Sequence, residues 1–475
     1  MERRYTIPPS PPMSSRTALA LASLSALLGS LDSSVNIAFP AITAAFALDV
    51  SFIQWVVISY VLTYASLLLG CGRLADLRGH GRVLGWGLAG SAVAFLLCGL
   101  APTFAWFLGA RVLQGVGIAL VFAAAPALVT LAVPPEQRGR ALGIFHMSAA
   151  LGFALGPPLG GLLVDGFGWR AVYLFRAPFA VLLAVLALSQ PRPARRQEHP
   201  QRFDLLGALT LAGSVAGSLF AVSRGRDLGW TSPVVLLLLL GASGCFAGFL
   251  VAERWVGAPV VDLRLFRRPA FTIANLLNVL ANGAMFAVWL LVPYYIVNTL
   301  QYQAATGGLL LPNPLATALA APLAGRLSDR FGTHHISTLG LGLEALGLWC
   351  VSRLDGGSDA LTVAFALGLV GLGLGLFQTP NMSFVMGSIP QAQQGVAGGM
   401  AQMMRTLGVV LGVTGASMVF DHRRAVYAER LRLGGPCAPQ SSVPAFQDVF
   451  LASALVCLVA CGLSLARGAE RSKSL

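Results

Sequence analysis

Apolar runs of about 20 residues recur along the whole chain, separated by short segments that collect the arginines. A run of that length matches the ~30 Å hydrocarbon core of a bilayer at 1.5 Å per helical residue. Inside lipid each run must satisfy its own backbone hydrogen bonds, so the runs must be helices. The chain is 56% hydrophobic and 11% charged, against about 25% charged for a soluble domain. It therefore reads as an all-α membrane protein. We read fourteen transmembrane spans near 17–39, 52–72, 83–101, 104–131, 140–163, 170–189, 204–222, 233–252, 270–297, 304–326, 335–352, 360–386, 393–419 and 447–466. An even number puts both termini on one side.

The arginines say which side. Arg3, Arg4 and Arg16 flank the first span, and Arg73, Arg78 and Arg82 follow the second. Arg138 and Arg140 follow the fourth, Arg192, Arg195, Arg196 and Arg202 the sixth, Arg264, Arg267 and Arg268 the eighth, and Arg326 and Arg330 the tenth. All fall on one face, which places both termini in the cytoplasm of a cell (inner) membrane protein. The segment 420–446 disagrees: it reads as an outer loop yet holds Arg423, Arg424, Arg430 and Arg432. Clustered this way, the net charge of +13 marks topology and not a nucleic-acid surface. Six of the seven cysteines lie in apolar runs and only Cys437 falls in a loop, so no disulfide framework is indicated. The basic, Pro-rich stretch 1–16 leads into an apolar run with no small-residue cleavage site, which reads as a retained first helix.

Two segments repeat. After the second span comes 72-GRLADLRGHGRV-83, and after the tenth comes 325-GRLSDRFGTHHI-336. Both read G-R-L-x-D with a glycine three residues after the aspartate, and Asp76 and Asp329 are 253 positions apart (329 minus 76). Six spans with short loops need only about 190 residues, so the surplus of about 60 accommodates two added helices. The plan is a six-helix bundle at 1–189, two inserted helices with basic linkers at 190–269, and a second six-helix bundle at 270–475. Paired membrane repeats put the transport site between the halves.

With these motifs the chain resembles the major facilitator superfamily, and within it the fourteen-helix drug:proton antiporters. Besides the repeated loop motif, the fourth span carries 108-LGARVLQGVG-117 and the fifth carries 152-GFALGPPLGG-161, similar to the glycine- and proline-rich segment of exporters. The linker 258-APVVDLRLFRRPAF-271 is similar to the segment entering the second half in that group. The likeness covers almost the whole chain. Three positions depart from the pattern: Leu77 stands where the family has Arg, Asp32 and Asn36 are one residue closer than usual, and Arg176 stands where similar sequences have Asn.

Asp32 is the most costly residue in the first span, about 16 residues or ~24 Å from Arg16 and hence inside the bilayer. Ser25, Gly29, Asp32 and Asn36 share one helical face, which reads as the lining of a wet cavity. Intramembrane acids mark ion or substrate pathways, so Asp32 is the candidate proton site; the bland alternative is a structural carboxylate bonded to a neighbouring helix. Arg111, with Gln114 and Gly115 on its face, is the matching base, and the resemblance implies proton coupling for it. Asp76 and Asp329, with Gly72 and Gly79, read as gating residues that cap a neighbouring helix in one conformation only. Gly156, Pro157, Gly160 and Gly161 read as a close, kinked helix crossing; by resemblance they seal the outer side between the halves. Asn275, Asn278 and Asn282 recur at spacings of 3 and 4 and lead to Trp289; with Asn36, Gln114, Gln378 and Asn381 they are the candidate substrate cavity. Gln54, Trp55 and Tyr60 are weaker candidates. Glu344 and His146 read more simply as packed polar residues, and Arg176 as a distinct substrate contact or a snorkelling side chain.

No G-x-x-x-x-G-K-[ST], no H-E-x-x-H and no Cys/His metal spacing occurs, so neither nucleotide hydrolysis, metal nor cofactor is indicated and the chain does not read as an enzyme. The leading reading is a proton-coupled secondary active exporter of drugs or other small hydrophobic compounds, functioning as a monomer with protons, a small-molecule substrate and the lipid bilayer as its partners. The alternatives are a transporter for one dedicated metabolite, where Arg176 and Arg405 favour an anion, and a non-transporting membrane sensor.

Overall fold

The computed structural model describes residues 13–48, 52–190, 203–255, 260–261, 263–300, 306–430 and 439–471. Arg3, Arg4, Arg192, Arg195, Arg196, Arg202, Asp262, Arg432 and Cys437 lie outside the described residues. Among those described, every regular element is helical and there is no strand. In chain order the long helices are α1 (Ser15–Ala45), α2 (Gln54–Arg78), α3 (His80–Gly99), α4 (Phe104–Leu131), α5 (Arg138–Phe167), α6 (Ala171–Leu188) and α7 (Leu205–Leu228). They continue as α8 (Pro233–Trp255), α9 (Pro269–Asn298), α10 (Pro312–Phe331), α11 (Thr333–Ser352), α12 (Ala360–Gly387), α13 (Gln394–Arg430) and α14 (Pro439–Arg471).

Thirteen of these are long and apolar enough to cross a membrane, and α11 is the exception. Its 20 residues include His334, His335 and Glu344, which dilute its hydropathy. It is held nonetheless between α12 and α14. Small residues permit the approach: a Cβ on Gly347 would lie 2.5 Å from the backbone nitrogen of Val370.

The segment 420–446 is not a loop at its start. Helix α13 continues through Arg430 for 37 residues, about 55 Å, well beyond the ~30 Å hydrocarbon core. Arg423, Arg424 and Arg430 ride on its projecting end. There Arg423 Nε donates to Asp448 Oδ2 at 2.5 Å and Tyr427 Oη donates to the same oxygen at 2.8 Å. The excess of arginine at the far face thus belongs to a helical extension tied to α14.

Helices α1–α6 pack mainly on one another, as do α9–α14; α7 and α8 pair together, and α7 leans on α2. The two six-helix groups meet along α2–α13 and α5–α10, an arrangement in which the second helix of each group touches the fifth of the other. At the arginine-rich ends of these crossings the repeated motifs exchange contacts. Asp76, near the end of α2, accepts from the backbone N–H of Gly395 (2.7 Å) and Val396 (3.1 Å) in the first turn of α13. Asp329, near the end of α10, accepts from Gly139 and Arg140 (both 2.8 Å) in the first turn of α5. Each carboxylate thereby satisfies N–H groups that a helix start leaves without an intrahelical acceptor, and meets the positive end of the helix dipole. His80 Nε2 lies 3.1 Å from Asp76 Oδ1 as well.

Glycines make this possible. A Cβ on Gly72 would lie 2.7 Å from the carbonyl carbon of Gly395, and one on Gly325 would lie 2.7 Å from that of Gly139. The glycines that follow each motif, Gly79 (φ +94°) and Gly332 (φ +87°), end α2 and α10 in a left-handed conformation that other residues adopt at a cost. Gly72→Val should therefore push α2 from α13 and open the arginine-rich face. On a background without the seven native cysteines, a cysteine at Thr130, whose hydroxyl bonds Gln394 across this seam, should react several-fold faster with a soluble maleimide in Gly72→Val. An unchanged rate would contradict the seal.

Candidate functional site

Asp32 sits where α1 loses its regular α-helical winding. Leu31–Ser34 form one turn of 3-10 helix between the α-helical pieces Ser15–Ser30 and Val35–Ala45. A 3-10 turn advances about 120° per residue where an α-helix advances about 100°, so residues beyond it rotate off the face predicted for them. Asn36 is accordingly exposed and does not join Asp32.

Around Asp32 the structure gathers four donor bonds from three side chains. Arg111 on α4 grips both carboxylate oxygens, Nη1 to Oδ1 at 3.0 Å and Nη2 to Oδ2 at 3.1 Å. Gln114, one turn along α4, donates Nε2 to Oδ1 at 2.8 Å and accepts from Arg111 Nη1 at 2.7 Å. Arg176 at the start of the second α-helical piece of α6 donates Nη1 to Oδ1 at 2.9 Å. The two arginine side chains are 2% and 1% exposed, while that of Asp32 is 14% exposed. Arg111 is further held by donating Nε to the Val56 carbonyl at 3.0 Å and by lying 4.4 Å over the Tyr60 ring. Arg176 lies 4.5 Å over the Phe95 ring and 5.2 Å over that of Tyr173, and its Nη2 has no hydrogen-bond partner among the described residues. Arg176 is thus no snorkelling residue at the interface. Two guanidiniums share one carboxylate, and the cluster carries one positive charge in excess.

The exporter-like segment of α5 holds this turn in place. A Cβ on Gly156 would come within 2.9 Å of the Ser34 backbone nitrogen, and one on Gly160 within 2.7 Å of the Ser34 carbonyl oxygen. Pro157 has no N–H to give the carbonyl of Phe153, and the Ser33 hydroxyl donates to that carbonyl at 3.1 Å instead. In this conformation Gly152, Gly156 and Gly160 face α1 within the first helix group and not the opposite half, and Gly161 faces open space.

A separate cavity lies between the halves, with about 890 Å3 of space not filled by atoms, part of it open to solvent. Of the candidate cavity residues, Asn278, Trp289, Gln378 and Asn381 line it. Asn282 is fully buried behind them, donating to Asn278 and accepting from Gln378 Nε2 at 3.0 Å. Asn275 donates to the Phe271 carbonyl of its own helix, and Gln114 belongs to the Asp32 cluster. Trp289 meets Phe153 of the other half edge-on, with ring centroids 4.7 Å apart. His146 also lines the cavity and lies 3.2 Å from the Thr379 hydroxyl across the seam. Glu344 is fully buried in the contact of α11 with α12 and α14, away from the cavity. Trp55 packs on Phe220 of α7 at 5.8 Å.

Sequence reasoning missed Arg176 as a partner of Asp32, although its departure from the family pattern was the available signal. It also missed Phe122, Phe145 and Gln402 in the cavity wall, since an aromatic or amide in an apolar run carries no mark of the direction it faces.

The major facilitator superfamily model matches residues 21–413. The multidrug resistance protein Stp of Mycobacterium tuberculosis is 35% identical over 80% of this chain and 70% of its own length. The tetracenomycin C resistance and export protein of Streptomyces glaucescens is 31% identical over 85% and 76%. The riboflavin transporter RibZ of Clostridioides difficile is 28% identical over 85% and 87%. Among solved structures, the human organic anion transporter MFSD10 superposes with a TM-score of 0.65 at 16% identity, covering 93% of this chain and 99% of that one. A variant of the E. coli fucose:proton symporter FucP gives 0.63 at 15% identity, covering 95% and 98%.

The charge balance of the cluster generates an ordered expectation for stability. Asp32→Ala leaves two buried guanidiniums facing each other and should cost about 3–5 kcal/mol. Arg176→Leu removes the excess charge and leaves the two-point Arg111 contact, so it should cost clearly less. Thermal unfolding of the purified protein compares the two, and an equal or larger loss in Arg176→Leu would contradict the shared-carboxylate account.

Proposed function

The chain belongs to the major facilitator superfamily and is a multi-pass membrane transporter of small molecules, and we propose that it is a proton-coupled exporter of small, largely hydrophobic compounds. Several relatives bear the names of resistance and export proteins, which supports the outward direction. The observation that carries the coupling reading is the Asp32 carboxylate bound by Arg111 and Arg176 beside a cavity between two helix groups.

Asp32 is the proton site in this reading, and the arginine-rich face is the cytoplasmic face of the cell membrane. Substrate enters the cavity from the cytoplasm while Asp76 and Asp329 are disengaged. Their return to the starts of α13 and α5 closes that face and leaves release to the other side. Protonation of Asp32 removes the charge that its bonds to Arg111 and Arg176 depend on, roughly halving the strength of each. The 3-10 turn of α1 is then free to shift against α5, whose glycine face it contacts. Charge-assisted bonds of about 1.5–3 kcal/mol each are of the right size for a switch between two conformations a few kcal/mol apart.

A second reading is transport of one dedicated metabolite, favoured by the similarity, over 85% of this chain, to a protein named a riboflavin transporter. The discriminating experiment is efflux from energised cells, using fluorescent hydrophobic dyes of cationic, neutral and anionic type. An exporter of this kind should lower the retention of one or more dyes several-fold. The effect should vanish with an uncoupler and in Asp32→Asn at equal membrane abundance. Efflux that survives the uncoupler would contradict proton coupling, and efflux that survives Asp32→Asn would contradict the role of Asp32. No efflux of any dye would move the reading to the dedicated metabolite.

A further inference from the structure

Three arginines lie deep in membrane-spanning helices among the described residues, and two of them, Arg111 and Arg176, share Asp32. The third, Arg405, is 11 residues beyond the start of α13, about 16 Å along the helix and so near mid-membrane. It lines the cavity between the halves. It forms no hydrogen bond or ion pair with any described residue. A guanidinium at that depth without a counter-charge is expensive, and such residues face a water-filled path or a partner.

The rest of the wall indicates what that partner is. Among the described residues no aspartate or glutamate lines the cavity, so a cationic guest would meet Arg405 with nothing to balance either charge. Gln402, one turn before Arg405 on the same face of α13, also lines the cavity, and its side-chain amide is likewise without a partner among the described residues. The neighbouring amides are already engaged: Asn278 donates to the Ala401 carbonyl, Asn381 to the Ala274 carbonyl and Gln378 to Asn282. Arg405 and Gln402 therefore present free donors along one stripe of α13, and Ser30 and His146 add polar groups to the wall from the first half. In the same wall Phe122, Phe145, Phe153 and Trp289 supply aromatic surface from both halves.

We propose that this cavity binds aromatic compounds carrying a carboxylate, with Arg405 as their counter-charge and Gln402 as an auxiliary donor. A planar guanidinium matches a carboxylate through two parallel bonds, and the aromatic wall accepts the ring system edge-on or offset. The proposal rests on the transporter reading above and narrows its substrate class from hydrophobic compounds to organic anions.

The test uses three pyrenes that differ only in the head group: 1-pyrenebutyrate, its amide, and the corresponding trimethylammonium cation. Binding to the purified full-length protein in nanodiscs is read by equilibrium dialysis. The butyrate should bind at least about tenfold more tightly than the amide, and the cation most weakly. Arg405→Gln should erase the preference for butyrate over amide, and Arg405→Lys should retain part of it. If Arg405→Gln does not fold, the wild-type ranking and Arg405→Lys decide. Equal binding of butyrate and amide, no binding of butyrate, or tightest binding of the cation would overturn the proposal. Proton-driven flux of the same probes into proteoliposomes separates this from failure of the parent reading. Flux of the cation without preference for butyrate overturns only the anion assignment. Selective butyrate binding without proton-driven flux of any probe overturns only the coupled-exporter reading.

Discussion

A helix that begins at a membrane face leaves its first N–H groups without intrahelical acceptors, and lipid supplies none. For α13 and α5 those acceptors come from the other half of the molecule. Asp76 caps α13, and Asp329 caps α5. The exchange is reciprocal because the two motifs are copies, 253 positions apart, at the ends of corresponding helices. Each cap joins a carboxylate on one group to the dipole of a helix on the other, across a crossing kept narrow by paired glycines. These two contacts tie the helix groups together at the arginine-rich face.

The second constraint is the buried charge on α1. A carboxylate in an apolar run needs counter-charge and donors, and Arg111, Arg176 and Gln114 supply both. The 3-10 turn at Leu31–Ser34 sets Asp32 toward α4 and α6 and at the same time sends the Ser33 hydroxyl to the carbonyl that Pro157 leaves vacant. The kink of α5 and the break in α1 therefore support each other. The helix turn that carries Asp32 rests on the α5 glycines, and α5 begins at the Asp329 cap. A continuous set of contacts thus joins the cluster to one of the two caps.

Much of this was legible in the residues. The apolar runs determine fourteen helices, and the repeated G-R-L-x-D motif locates Asp76 and Asp329 at matching ends. Partners across space were not legible. Arg176 is 144 positions from Asp32, and no local pattern says that α6 turns it inward. A regular helix would set Asn36 beside Asp32, and four residues of 3-10 winding carry it elsewhere. The segment 420–446 reads as an outer loop from its place between two apolar runs, yet Arg423 and Asp448 pair between two helices that outrun the bilayer. Periodicity reports which residues share a face, but only packing decides what the face meets.

The account stands most directly on the two reciprocal caps. Each aspartate uses both oxygens on backbone N–H groups, so an asparagine in its place must turn an NH2 group toward one of them and also lose the charge. Spin labels placed across the arginine-rich face, one near the end of α2 and one near the start of α13, report the separation of the halves by electron–electron distance measurement. The account predicts a single short distance in the native protein and a second, longer population in the Asp76→Asn, Asp329→Asn double variant. The same short distance in both proteins would contradict it.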